Sequence, residues 1–366
     1  MKIALVHDYL NQYGGAERVL EAFGEIFPSA PIYTLFYDPK KMKGCFSDKE
    51  IKTSFLQKMP FISSYHRIFP PLMPVAVEKL DLSGYDLVLS DSASFAKGVI
   101  TKPETLHICY CHTPPRYAWD DSHNYIRNFN MPLIARPIVP FFVNYIRLWD
   151  KEASFRVDKF ISNSKFVARR IKKYYNRDAK VIYPPVDLDD FKFRPEKGDY
   201  FLLVGRLVAY KRIDIAIKAF NKLRMPLKII GGGRERKRLE KIAGDNIEFV
   251  GEVSRKEVED YYRRCKALIF PQEEDFGIVA LEAMACGKPV VAYGRGGVLE
   301  SVEEGKTGIF FNEQNPKSLI DAIRSFDESR FDSNKIREHV LKFDKSIFKE
   351  KIKNFIKKEY ENWRRY

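Results

Sequence analysis

The chain has 366 residues, 45% of them hydrophobic, which is enough to bury the cores of two domains of ordinary size. Its formal net charge of +14 indicates an anionic partner: nucleic acid, an anionic membrane or a phosphorylated substrate. No RNA-binding or helix-turn-helix signature accompanies the charge, so nucleic acid is the weakest of the three. The five cysteines are odd in number and lack the spacing of a disulfide framework, which predicts a reduced, cytosolic protein.

The sequence predicts neither a secretory signal nor a membrane span. The first apolar run, Ile3 to Val6, ends at His7 and is too short for a signal peptide. The best candidate for a span, residues 131–149, contains Arg136, Arg147 and three prolines. We therefore expect a soluble protein, or one that lies on a membrane surface.

Short apolar runs alternate with amphipathic stretches along the chain, which predicts repeated strand and helix units of the α/β class. Pro184-Pro185, directly after a strand, predicts a stiff linker between two domains. The predicted strands are Lys2–Val6, Asp86–Ser90, Ile108–Cys111, Lys159–Ser162, Lys180–Tyr183, Tyr200–Val204, Leu227–Ile230, Ile247–Val250, Ala267–Phe270 and Pro289–Ala292. The predicted helices are Ala16–Phe27, Ser164–Tyr175, Arg234–Ala243, Arg255–Cys265, Gly277–Ala285 and Asp344–Arg365.

A loop with two glycines, Gly14 and Gly15, follows the first strand and leads into a helix. This order opens a Rossmann-like unit and leaves room for a phosphate or a substrate near the glycines. The fingerprint G-x-G-x-x-G is absent from the loop, which argues against a dinucleotide-dependent oxidoreductase.

The run HICYCHTPPRYAWD, residues 107–120, predicts a buried strand that ends in a rigid turn. Because the carboxyl ends of parallel strands line the ligand crevice, His112 and Arg116 should face it. The alternating histidines and cysteines of this run fit a strand better than a zinc site.

The second domain opens with a strand and the run GRLVAYKR, residues 205–212. Arg206 and Lys211 place two cations beside one crevice, where they can neutralise the charge that develops on a departing nucleoside diphosphate. Basic residues after a strand are also common on ordinary surfaces, so this pattern alone leaves both interpretations open.

The run EEDFGIVALEAMACGKPVVA, residues 273–292, contains Glu274 and Glu282 with seven residues between them. A helix that begins after Phe276-Gly277 presents unpaired N–H groups, which suit a diphosphate. The spacing by itself also fits an amphipathic helix with glutamates on its surface.

These motifs together, from Met1 to about Phe343, resemble glycosyltransferase family 4, the retaining nucleotide-sugar transferases of the GT-B fold. Within the family the resemblance is to bacterial and archaeal mannosyltransferases of lipopolysaccharide and exopolysaccharide assembly. It implies two facing Rossmann-like domains with a cleft between them, residues 1–185 on the acceptor side and 186–343 binding the nucleotide sugar. It also implies a C-terminal helix, residues 344–366, that crosses back onto the first domain. We expect its apolar face to consist of Phe348, Ile352, Phe355 and Ile356.

The resemblance also implies roles for residues. Glu274 and His112 would bind the donor sugar, and Glu282 would bind the ribose. The expected catalytic residues are Arg206, Lys211, Glu274 and His112. The expected donor-binding residues are Gly14, Gly15, Gly205, Arg206, Lys211, Gly231, Val250, Phe276, Gly277, Ile278, Val279 and Glu282, with Arg116 and Tyr117 on the acceptor side.

GDP-mannose is the donor that the resemblance favours, and UDP-sugars stay open because backbone groups dominate the expected base pocket. The acceptor is expected to be a glycan or a lipid-linked glycan at the cytoplasmic face, with peripheral contact to an anionic membrane and no nucleic acid. We expect no cofactor and no metal, because two cations and a helix end supply the positive charge and the crevice motifs hold no Asp-x-Asp pair. A basic protein that binds nucleic acid or membranes on a Rossmann-like scaffold is the alternative of a different class. It would explain the charge but not the order of the motifs.

Overall fold

The computed structural model describes residues 1–60, 62–65, 70–120, 122, 139–194 and 196–365. The chain divides into two compact units. The first unit consists of Met1–Pro185 together with Ser346–Tyr366, and the second consists of Val186–Lys345.

Among the described residues, the first unit contains a sheet of seven strands whose neighbours all pair in parallel. Its strands are β1 Ile3–His7, β2 Ile32–Thr34, β3 Ile51–Thr53, β4 Leu87–Ser92, β5 Leu106–Cys111, β6 Lys159–Ser162 and β7 Ala179–Val181. Its helices before the linker are α1 Gly15–Ile26, α2 Ile62–Tyr65, α3 Met73–Glu78, α4 Val139–Phe155 and α5 Lys165–Tyr175.

The second unit repeats this architecture with a parallel sheet of six strands within the described part of the chain. Its strands are β8 Tyr200–Val204, β9 Leu227–Ile230, β10 Ile247–Gly251, β11 Cys265–Phe270, β12 Val290–Tyr293 and β13 Gly308–Phe311. Its helices are α6 Ile213–Leu223, α7 Arg236–Glu240, α8 Arg255–Arg264, α9 Ile278–Ala285, α10 Val298–Ser301, α11 Pro316–Ser325 and α12 Ser333–Val340.

The last helix, α13 (Lys345–Trp363), returns to the first unit. Three of the expected residues are buried at helical spacing, Phe348, Ile352 and Ile356, and they join the core between α1 and the sheet. Phe355 is partly buried against the same core. The crossing of this helix to the first domain, expected from the resemblance, is therefore confirmed.

Each sheet reverses its strand order once. The first runs β3-β2-β1-β4-β5-β6-β7 and the second runs β10-β9-β8-β11-β12-β13. The reversals fall between β1 and β4 and between β8 and β11. Ligands of open parallel sheets bind outside the carboxyl ends of the strands at such switch points.

Several predicted element bounds are wrong. The strand predicted to end at Ser90 continues to Ser92, because Asp91 and Ser92 still pair with β5. The last strand of the first sheet ends at Val181, whose partner Ser162 is the final residue of β6. Helix α7 covers only half of the residues expected. The structure also adds elements that no motif predicted, among them β2, β3, α6 and α12.

No helix in the described residues is both long enough and apolar enough to cross a membrane. The stretch weighed as a span, residues 131–149, begins outside the described residues, which resume at Val139 with α4.

Candidate active site

A charged pair spans the switch point of the second sheet. Lys211 ends a short 3-10 turn after β8, and Glu274 lies in the segment that follows β11. The Lys211 ammonium donates to the Glu274 carboxylate. Their side chains are 11% and 17% exposed, so a ligand can reach the pair.

The edge beside this pair is made of closely packed backbone. Gly231 follows β9 with a φ of +128°, and a Cβ there would overlap the carbonyl oxygen of Gly205, so only glycine fits. The Gly231 N–H donates to the Gly251 carbonyl across 2.7 Å, next to the half-buried Val250. The guanidinium of Arg206 is exposed, 3.5 Å from the Tyr210 hydroxyl.

Helix α9 begins near Glu274, directly after Gly277. The φ of Gly277 is +90°, and a Cβ there would lie 2.7 Å from the Phe270 ring. The first turn closes with a bond from the Ala280 N–H to the Gly277 carbonyl, 3.0 Å long. The N–H groups of Ile278 and Val279 precede this bond and have no acceptor inside the helix, which is the arrangement that binds anions.

Two other expected donor-binding residues face the protein interior. The ring of Phe276 is buried against Phe343, with 5.8 Å between the ring centres, so its side chain serves packing. Glu282 on α9 is 4% exposed and accepts a hydrogen bond of 2.9 Å from the Tyr262 hydroxyl. This bond orients the Glu282 carboxylate.

The first sheet also carries charged groups at its switch point. His7, the last residue of β1, is the register partner of Asp91 on β4, and its Nδ1 lies 2.8 Å from the Asp91 Oδ2. The other Asp91 oxygen lies 2.5 Å from Nε2 of His112, which directly follows β5. Asp91 is fully buried, whereas the His112 side chain is 12% exposed.

The glycine loop is connected to the same group of residues. The Gly14 N–H donates to the Glu17 Oε2 across 2.8 Å, and the other carboxylate oxygen lies 3.6 Å from Nε2 of His7. Gly14 is half-buried, and Gly15, the first residue of α1, is exposed.

The two residues expected on the acceptor side lie in the turn after His112 and make contacts within the first unit. The Tyr117 hydroxyl is 2.6 Å from Ser94 Oγ, and the Arg116 guanidinium is 6.0 Å from the centre of the Phe166 ring. Arg170 on α5 holds this turn through Thr113 Oγ1, the Pro114 carbonyl and Asp120. One cation of this basic helix is therefore buried and structural.

Three residues of the site are not apparent from any motif: His7, Asp91 and Glu17. The strand predicted to end at Ser90 left Asp91 outside it, but Asp91 lies in β4 and joins two histidines. The available signal is an apolar strand run that ends in an ionisable residue, as in IALVHD and LVLSD. This signal does not reveal which strand ends are neighbours.

In the described part of the chain, no three histidine, cysteine, aspartate or glutamate side chains are grouped so that they could hold a metal ion.

Two family models match the chain. The model described as Glycosyltransferase Family 4 matches residues 13–190, and the one described as Glycosyl transferases group 1 matches residues 187–343. The chain belongs to glycosyltransferase family 4, and its two parallel α/β units form the GT-B fold.

Curated relatives match part of the chain. An uncharacterized glycosyltransferase of Methanocaldococcus jannaschii is 33% identical over 222 residues, 59% of this chain and 62% of the relative. A D-inositol 3-phosphate glycosyltransferase of Geodermatophilus obscurus is 28% identical over 204 residues, 46% of this chain and 45% of the relative. The chain thus spans less than two thirds of the length of these relatives.

A solved structure of Anabaena HepE in complex with UDP and glucose superposes with a TM-score of 0.73. It is 18% identical, and the match covers 98% of this chain and 99% of that one. At this identity the likeness shows a shared fold.

Proposed function

We propose that this chain is a retaining glycosyltransferase that moves a hexose from a nucleoside-diphosphate sugar to a glycan or lipid-linked glycan in cell-surface polysaccharide synthesis. The observation that carries the proposal is the accessible Lys211–Glu274 pair at a switch point, near the start of α9. A cation and helix N–H groups suit a diphosphate, while a carboxylate accepts hydrogen bonds from sugar hydroxyls.

Each group has a part in the proposed reaction. The Lys211 ammonium and the Arg206 guanidinium neutralise charge on the leaving diphosphate, and the N–H groups at the start of α9 donate to its oxygens. Glu274 binds hydroxyls of the donor sugar, and His112 is proposed to bind a sugar hydroxyl at the switch point of the first unit. For Glu282, which Tyr262 orients and which is 4% exposed, the proposed ribose contact requires that its carboxylate become accessible.

In the proposed step the bond between the anomeric carbon and the diphosphate oxygen breaks, leaving an oxocarbenium-like sugar. The acceptor hydroxyl oxygen bonds to the same face of the anomeric carbon, and its proton passes to the leaving phosphate oxygen. This route requires no nucleophilic carboxylate. We expect it to proceed without a metal, because side chains and the helix start carry the positive charge.

The donor base is the finer part of the proposal. GDP-mannose is the first candidate, on the resemblance to mannosyltransferases, and a UDP-sugar is the second, supported by the UDP and glucose bound to HepE. The relatives that act on D-inositol 3-phosphate support an acceptor that can carry phosphate. The positive charge of this chain is compatible with such an acceptor.

Calorimetric titration with GDP, UDP, ADP and their mannose and glucose conjugates, with and without magnesium, tests this function. We expect one nucleotide sugar to bind preferentially and equally well when magnesium is chelated. Tight binding that requires magnesium would overturn the metal-free route, and the absence of any nucleotide binding would overturn the transferase itself.

We also propose that the first unit docks on an anionic membrane. It has 33 Lys and Arg against 21 Asp and Glu, a net +12, whereas the second unit has 30 against 28, a net +2.

One face of α4 exposes Phe141, Tyr145 and Leu148 at helical spacing, with Phe141 75% and Leu148 60% exposed. The neighbouring helix α5 exposes four cations, Lys165, Arg169, Lys172 and Lys173. Apolar insertion beside basic residues is the arrangement of proteins that bind anionic bilayers.

Cosedimentation with phosphatidylglycerol and phosphatidylcholine vesicles tests the docking. We expect binding to the anionic vesicles alone, lost in a Phe141→Ser, Leu148→Ser double variant. Ile100→Ser is the matched control, because Ile100 is an exposed apolar residue of the same unit that lies outside α4. Equal binding by the double variant and the control would contradict this surface.

A further inference from the structure

Three neighbouring strands of the first sheet end in residues that form one hydrogen-bonded chain. His7 ends β1, Asp91 lies near the end of β4, and His112 directly follows β5. The backbone N–H of His112 donates to the Ser92 carbonyl and so continues the register of the sheet. These hydrogen-bonded residues lie at the reversal of strand order, where a ligand of this unit would bind.

These linked residues differ in burial: the middle ones are buried, and the groups at the two ends are accessible. His7, Asp91 and Glu17 are each less than one tenth exposed, so they do not present a surface to a ligand. The accessible groups are the His112 ring at one end and the glycine loop at the other, where Glu17 accepts from the Gly14 N–H. The interior residues therefore act through these two ends.

The charge states of His7 and Asp91 are determined by the ionisable groups around them. Burial alone would lower the pKa of His7, but its hydrogen bonds and charge interactions with Asp91 and Glu17 outweigh burial and raise that pKa to about 10. Burial alone would raise the pKa of Asp91, but the charges and hydrogen bonds of His112 and His7 hold it below its ordinary value. At neutral pH His7 is therefore a cation and Asp91 is a carboxylate.

An ionised carboxylate can only accept hydrogen bonds. Both of its histidine partners must then carry the hydrogen at the contacting nitrogen, which is Nδ1 for His7 and Nε2 for His112. In the neutral form of His112, Nδ1 is consequently left as an acceptor. The carboxylate thus decides which nitrogen of this ring is protonated, as the partner of one imidazole nitrogen does in general.

We propose that Asp91 and His7 are positioning residues that fix His112 as the Nε2–H tautomer, so that its Nδ1 accepts a hydrogen bond from a hydroxyl of the donor sugar. Glu17 joins the glycine loop to these residues through its ion pair with His7. The part of this inference that concerns the sugar rests on the proposed function. The tautomer itself does not.

The test uses the 15N-labelled full chain without ligand. The six histidines give few imidazole signals, and a His112→Gln variant identifies those of His112. Long-range proton–nitrogen spectra of the neutral His112 ring should show a protonated Nε2 and an unprotonated Nδ1. An Nδ1–H tautomer in the native chain would overturn the proposal.

Asp91→Asn is the decisive variant, because it keeps the shape of the side chain but adds an N–H donor. We expect His112 to shift toward the Nδ1–H tautomer and kcat/KM for transfer to fall by about 10- to 100-fold. Affinity for the free nucleoside diphosphate should stay the same, since no group that binds it changes. Unchanged His112 nitrogen signals in this variant would overturn the proposal.

Ser90→Ala is the matched control. Ser90 precedes Asp91 on β4, and its hydroxyl lies 2.8 Å from Nε2 of His107, a buried histidine on β5 that does not contact Asp91 in the bonds described above. The control should change the His107 signals and leave His112 and transfer as they are; a change of the His112 tautomer in it would contradict the specific role of Asp91.

A second measurement applies if Asp91→Asn does not fold. The His7 signals of the native chain should remain those of a cation at pH 8.5, and a neutral His7 at that pH would overturn the proposal. A correct tautomer in a chain that binds no nucleotide sugar would instead refute the proposed function and leave the positioning intact.

Discussion

The two sheets carry a charged pair at the same topological place, but they bury it differently. In the first sheet the His7–Asp91 pair joins neighbouring strand ends and is at most 4% exposed. In the second sheet the Lys211–Glu274 pair joins segments that follow neighbouring strands and is 11% and 17% exposed. The strand reversal therefore brings opposite charges together in both units.

The difference in exposure distinguishes two uses of such a pair. A fully buried pair has no access to a ligand and can only orient a third group, which here is His112. A partly exposed pair can exchange its mutual contact for contacts to a ligand. Removing one partner of the buried pair would leave an uncompensated charge away from water, whereas the surviving partner of the Lys211–Glu274 pair keeps some contact with solvent.

The largest expected effect comes from breaking the Lys211–Glu274 pair. Lys211→Ala and Glu274→Gln should each lower the turnover number by about 100- to 1,000-fold, because each removes a group that acts on the reacting sugar diphosphate. Thermal stability should change little. Steady-state transfer assays and thermal melts of the same preparations measure both effects.

Arg224→Ala is the control for these variants, because Arg224 forms an ion pair with Asp245 in the same unit with both side chains largely exposed. It should leave turnover and stability near those of the native chain. Native turnover in either pair variant would show that the residue concerned has no catalytic part.

The second effect concerns the pH dependence of the first unit. Among the described residues of this unit, two buried histidines have pKa values shifted in opposite directions. The pKa of His7 is raised to about 10 by its carboxylates, against an ordinary value of 6.5. Its contribution to stability is therefore complete below pH 6.5 and is lost as the pH rises through about 10. Burial lowers the pKa of His107 to about 4, so its contribution is complete above pH 6.5 and is lost as the pH falls through about 4.

Urea unfolding at pH 5, 7 and 9, followed by tryptophan fluorescence, measures these contributions. All three tryptophans, Trp119, Trp149 and Trp363, belong to the first unit, so the signal reports that unit. Each histidine should add a slope of up to about 1.4 kcal/mol per pH unit, on the alkaline side for His7 and on the acid side for His107. His7→Gln should remove the alkaline slope and His107→Gln the acid one. An alkaline slope that persists in His7→Gln would show that His7 is not charged in the folded state.

The smallest effect concerns the start of α9. Gly277→Ala should destabilise the second unit by about 1–3 kcal/mol, because alanine is strained at a φ of +90° and its Cβ would lie 2.7 Å from the Phe270 ring. Amide hydrogen exchange across residues 278–285 measures the loss. Gly305→Ala separates the two causes, since Gly305 has a φ of +72° and no atom within 4 Å of the added Cβ. Equal losses in the two variants would mean that backbone strain alone matters.

Some of the site can be read from local sequence. The segments GRLVAYKR and EEDFGIVALEAMA place Lys211, Glu274 and the start of α9 directly after strands, and the structure has them there. The contact between Lys211 and Glu274 could not be read, because it depends on β8 and β11 being neighbours. The burial of Glu282 and Phe276 could not be read from local sequence either. Glu282 contacts Tyr262 on α8, and Phe276 packs against Phe343.

The sequence by itself determined the α/β class, the order of most strands and helices, and the glycine-rich strand ends. These features follow from apolar runs and from glycines and prolines that act within a few residues. Only the tertiary structure decided which charges meet and which of them a ligand can reach. His7 and Asp91 are 84 residues apart and Lys211 and Glu274 are 63 apart, so each pair forms only when parallel strands pair across a switch point.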